Sequence, residues 1–155
     1  MQDILLFLHS LLRWVLLLSI LAAIINAIRN LAGSGLFTQV DDKLRKTTMI
    51  MAHAQLLIGL WLYFISPEVN ALFNNFGEAV KVRNVRFFAM EHSLAMIISI
   101  VLITIGAIRT KRIKSDKAKL RSQLIWFAIA LLIIFMMIPW SFLSFSVHRP
   151  FFRGF

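Results

Sequence analysis

The sequence predicts an all-α fold: an integral-membrane four-helix bundle with both termini on the outer (periplasmic) side. Three observations lead there. Of the 155 residues, 59% are hydrophobic and 15% charged, with a mean hydropathy of +0.80, whereas an ordinary soluble domain holds about 45–50% apolar and about 25% charged residues. The apolar residues fall into four blocks, each close to the about 20 residues that a helix needs to cross the hydrocarbon layer. The basic residues behind the net charge of +10 gather in the connections between those blocks, so they read as topology signals rather than as nucleic-acid contacts. One membrane domain spanning residues 1–155 is expected, in contact with lipid and not with nucleic acid. Without cysteine, disulfides, thiolate metal sites, iron–sulfur clusters and covalently attached haem are excluded.

The first block, residues 4–28, has Asp3 rather than a basic region before it and exceeds the about 7–15 residues of a secretory apolar core, so it is expected to stay as a spanning helix. The second, 47–65, is stopped by Ser66-Pro67, because proline has no N–H to continue the ladder. The third runs over 87–108 and the fourth over 122–143, with Pro139 in its last turns. Of the connections, 29–46 carries a Gly33-Ser34-Gly35 turn and a charged run from Asp41 to Lys46, while 66–86 mixes Phe73 and Phe76 with polar residues in the manner of a short interfacial helix. The connection 109–121 holds seven basic residues against Asp116 alone. By the positive-inside rule, loops 29–46 and 109–121 are cytoplasmic and 66–86 is outer. Trp61, Tyr63 and Trp140 are then expected near the outer interface and Trp126 near the inner one.

Ionisable residues are sparse within the spans: His9 and Arg13 on the first, His53 on the second, Glu91 and His92 on the third. Such groups cost several kcal/mol in a bilayer unless paired, which makes each a functional candidate. Counting from the block ends puts His9 and His92 level, roughly 7–8 Å below the outer boundary, and His53 roughly 18 Å below it. Arg13 lies one turn deeper than His9 on the same face. The third helix adds a stripe of Ala95, Met96, Ser99 and Gly106, residues small or narrow enough for close approach.

Two imidazoles at one depth in an apolar bundle suit axial ligation of a non-covalent haem, with apolar walls around the macrocycle. His9 and His92 are the expected metal ligands and His53 the substitute. Arg13, or Arg83 and Arg86 from the outer loop, would face the propionates. The expected function is that of a b-type cytochrome-like electron carrier, with quinone as a candidate partner, rather than a stand-alone enzyme. The alternative is a cofactor-free accessory or scaffold subunit in which the same residues form a structural network, with Arg13 and Glu91 neutralising one another. A zinc site fits less well, since no histidine pair stands at i, i+4. His148 lies outside the spans, and the methionines read as core filler.

Several runs together resemble a known family: His9-Ser10 with Arg13-Trp14; Ala52-His53-Ala54-Gln55 followed by Gly59-Leu60-Trp61-Leu62-Tyr63-Phe64; Arg86-Phe87-Phe88-Ala89-Met90-Glu91-His92; Ile138-Pro139-Trp140; and Arg149-Pro150-Phe151-Phe152-Arg153. The chain resembles, over nearly its whole length, the small four-span bacterial inner-membrane proteins labelled cytochrome b-like. That resemblance implies a multi-pass protein of the bacterial inner membrane, acting with a redox partner or within a larger complex. It makes His9, His53, His92, Arg13 and Glu91 motif positions, with Ala89 departing from the glycine expected before Met-Glu-His.

Overall fold

The computed structural model describes residues 2–140. Among these it is all-helical. The long helices are α1 (Gln2–Ala32), α2 (Gln39–Ile65), α6 (Ser93–Arg112) and α7 (Asp116–Met137). Between α2 and α6 come the short helices α3 (Pro67–Asn74), α4 (Phe76–Ala79) and α5 (Arg83–Arg86), then a π-helical turn over Phe87–His92 that runs directly into α6. Among the described residues four helices are long and apolar enough to cross a membrane, counting 83–112 as one. Their outer faces present side chains that water would not tolerate in such number, among them Leu18, Leu57, Phe64 and Met136.

Packing is cyclic. Helix α1 lies against α2 and α7, and α6 against α7 and α2, so α1 and α6 face each other across the diagonal. The core between them is built from Leu16, Ile20, Ala23, Ala52, Ile103, Phe127 and Ile134. Small residues set the closest approach, as expected where helices gain by van der Waals fit rather than by leaving water. A Cβ at Gly106 would run into the Trp126 Cβ.

The hairpin turns are tighter than the hydropathy blocks suggest. Helix α2 starts at Gln39 rather than 47, because Thr38 and Asp41 form a reciprocal capping box that nucleates it inside the charged run. Asp41 is fully buried and also accepts from Asn26 Nδ2 and Asn30 Nδ2, each at 2.7 Å, which ties the helix start to α1. Arg45, also buried, bonds Asp42 at 2.6 Å and donates to the Ala107 carbonyl at 3.0 Å, tying the same turn to α6. Gly35 turns the chain at φ +69°, a region that favours glycine.

At the opposite end α7 stops at Met137, earlier than the expected 143 and short of Pro139. Pro139 forces the residue before it out of the helical region, and Ile138 sits at φ −73°, ψ 131°. Trp140 is buried against the bundle: its indole N–H donates to the Phe135 carbonyl at 2.8 Å, and its ring meets Trp14 edge-on at 6.3 Å. The expectations for residues 141–143, His148 and the Arg149–Arg153 run lie outside the described residues. The 66–86 connection folds back on the bundle, burying Val69, Leu72 and Ala79 beside Ala89 of the π turn.

Candidate functional site

A cavity of about 690 Å³ opens at the end of the bundle that carries the 66–86 connection. That volume falls within the about 300–1,000 Å³ of small-molecule and cofactor pockets. Helix α1 contributes His9, Ser10 and Arg13; α2 contributes Gln55, Gly59 and Tyr63; the π turn and the start of α6 contribute Ala89, His92, Ser93 and Met96. Ile134, Ile138 and Pro139 line the side formed by α7 and the chain just beyond it. The two level histidines thus line one cavity from diagonally opposed segments.

His92 is held by its Nδ1–H, which donates to the Met137 carbonyl at 2.9 Å. A carbonyl only accepts, so in the neutral ring the lone pair is on Nε2. The same bond satisfies one of the carbonyls that α7 leaves open at its C-terminus. Phe87 and Phe88 flank the imidazole with centroids at 5.8 and 6.2 Å. The π turn sets this orientation: one extra residue per turn re-aims everything it carries, and such turns recur at functional sites. Tyr63 Oη and Ser93 Oγ both donate to the Ala89 carbonyl, at 3.2 and 3.1 Å, which pins the middle of the turn.

His9 is packed against α2 at a glycine: a Cβ on Gly59 would come within 3.3 Å of His9 Cε1. Gln55 Nε2, one turn earlier on α2, donates to the His9 carbonyl at 3.0 Å and fixes the backbone there. The His9 Nδ1 and Gln55 Oε1 atoms are buried without a hydrogen-bond partner among the described residues. Buried polar atoms in folded proteins are normally satisfied, which makes these two exceptions notable in residues that line the cavity. Arg13 Nη2 donates to Ser10 Oγ at 3.2 Å, and the guanidinium lies 5.5 Å from the Trp14 ring centre.

His53, Glu91, Arg83 and Arg86, the remaining sequence candidates, do not line the cavity. His53 is exposed on α2, with Nδ1 bonded to the Met49 carbonyl at 2.8 Å and Nε2 3.3 Å from Thr104 Oγ1. Glu91 is also exposed and pairs with Arg86 Nε at 2.8 Å rather than with Arg13. The i,i+5 spacing of that pair matches the i→i+5 hydrogen bonding of the π turn. One lining residue went unnoticed in the sequence: Glu68, whose Oε2 accepts from Ser66 Oγ at 2.6 Å. Its position just after Pro67 reads as an ordinary helix start, and only the fold-back of α3 takes it to the cavity. Among the described residues no cluster of three or more His, Cys, Asp and Glu side chains comes together.

No family model matches the chain, and neither the curated proteins nor the solved structures contain a match. The functional reading therefore rests on this geometry.

Proposed function

We propose that the protein is a b-type cytochrome-like electron carrier of the bacterial inner membrane, holding a non-covalent haem between His9 and His92. The carrying observation is that these two imidazoles line one cavity from the diagonally opposed α1 and π turn–α6 segments. The donor set fits the group. Haem takes two neutral imidazole nitrogens from an apolar, thiol-free pocket, and histidines that ligate metals usually donate their other ring N–H to a carbonyl or carboxylate. His92 has that bond already, to Met137. His9 carries the buried nitrogen without a partner.

When bound, haem supplies a reversible one-electron couple. The chain's own residues do the rest. His92, tied to the end of α7, and His9, seated on Gly59, keep their rings fixed, and rigid ligation keeps reorganisation small. Ile100, Ile134 and Ile138 exclude water from one side of the cavity, which sets the local dielectric. Arg13 places a guanidinium on the cavity wall as the counter-charge to propionates. His53 is assigned no ligand role in this reading. Quinone is the electron partner consistent with a site inside the bilayer, and both termini face outward by the distribution of basic residues.

The second reading, a cofactor-free accessory subunit, is favoured by one observation: the His92–Met137 and Gln55–His9 bonds also fasten helix to helix. Titrating the purified apoprotein in mild detergent with haem separates the two. The proposal expects saturation at one haem per chain, with loss of binding in both His9→Ala and His92→Ala. Binding that is absent, non-saturating, or unchanged in both variants favours the accessory reading.

A further inference from the structure

Helix α6 ends in a stripe that the cavity does not use. Ile105, Ile108, Arg109 and Arg112 recur at steps of three and four residues and so share one face. That face is turned away from the bundle, because Gly106 meets Trp126 and the Ala107 carbonyl holds Arg45. Ile105 and Ile108 each remain 44% exposed, and Val101, one turn further in, 48%. With Ile113, these residues line a groove of about 340 Å³ whose inner part is apolar and whose rim is two guanidinium groups.

Among the described residues the arginines have no anionic partner: no ion pair there includes Arg109 or Arg112. The nearby carboxylates are engaged elsewhere: Asp116 by Lys119, Asp42 by Arg45 and Lys46, and Asp41 by Asn26, Asn30 and Thr38. The groove thus joins a strip suited to an acyl chain to a pair of forks suited to phosphate, at the level where the apolar helix gives out. A soluble peptide or nucleic acid would leave the isoleucine strip uncovered, and a zwitterionic lipid would bring its own cation to the arginines.

We propose that this groove is a specific site for one anionic phospholipid, its phosphate held between Arg109 and Arg112 and an acyl chain lying along Ile105 and Ile108. The site is independent of the haem cavity at the other end of the bundle.

Native mass spectrometry of the full chain released from detergent, offered phosphatidylglycerol and phosphatidylcholine of the same acyl length, tests this. The expected result is one phosphatidylglycerol retained in clear preference, with the preference falling roughly 25-fold in the Arg109→Gln/Arg112→Gln variant. A control variant, Lys111→Gln/Lys114→Gln, removes the same charge from residues that do not line the groove and should change the preference far less than the arginine variant does. Equal loss in both variants, no preference in the wild type, or displacement of the lipid by inorganic phosphate would each overturn the proposal. Far-UV circular dichroism confirms that both variants keep their helices before the comparison is made.

Discussion

Gly59 and His9 are in contact across the α1–α2 interface: any side chain on Gly59 begins 3.3 Å from the His9 Cε1 atom. The imidazole therefore has its position because α2 offers no Cβ there. Gly59→Ala should displace the ring by a few tenths of an ångström while favouring the helix by about 0.5–1 kcal/mol. Haem affinity is expected to fall severalfold with thermal stability unchanged or slightly raised, and Gly59→Leu should abolish haem binding. Parallel haem titrations and melting curves in detergent check this; full affinity in the leucine variant would mean that His9 is not a ligand.

The three membrane histidines should behave differently. His92→Ala removes a ligand and also the bond to the Met137 carbonyl, so it should lose haem and about 1 kcal/mol of stability. His9→Ala should lose haem at a smaller stability cost, since its Nδ1 has no hydrogen bond among the described residues to lose. His53→Ala should leave any bound haem spectrum unchanged. A spectrum altered by His53→Ala alone would move the ligand assignment to α2.

Asp41 is a structural residue of the hairpin end. Its buried carboxylate accepts from two half-buried asparagines and from the exposed Thr38 at the helix start. Asp41→Ala removes these bonds and the capping box and should cost about 1–3 kcal/mol, lowering the melting temperature in detergent. The fraction still folded should bind haem with native affinity, because the cavity lies at the far end.

Glu91 tests the correction made by the π turn. Its pair with Arg86 is close to half exposed on both sides, so Glu91→Gln should change stability by less than about 1 kcal/mol. Haem binding should be unaffected. A strong stability loss would indicate that Glu91 neutralises a buried cation, as the sequence had suggested for Arg13.

Close packing at the other end gives a fifth site. Gly106→Ala must push Trp126 away and is expected to cost about 1–3 kcal/mol by overpacking. Equal melting temperatures for variant and wild type would show that α6 and α7 separate without penalty.

The four long helices were legible in the sequence because hydropathy reports the medium directly. Their ends were not, since Asp41 and Arg45 look like loop residues until the partners that bury them, Asn26, Asn30 and Ala107, are in place. Pro139 was expected inside the last turns of the fourth helix, but the extended residue that it demands at Ile138 ends α7 before it. At the cavity, counting along the axis placed His9 and His92 level, and they do line one space. Counting gives depth, not direction. His53 and Gln55 are two positions apart, about 200° round the helix, and only the packing of α2 shows that Gln55 and Gly59 take the inner face. The π turn has no sequence signature that periodicity could detect, so the partner of Glu91 was out of reach.

The visible and low-temperature electron paramagnetic resonance spectra of the full-length protein, purified in mild detergent from cells supplied with haem, test the central claim most directly. Two imidazole ligands predict a Soret band that shifts on reduction and a low-spin ferric signal, both lost in His9→Ala and in His92→Ala. A preparation without a Soret band, or with a low-spin signal that survives both substitutions, would contradict the account.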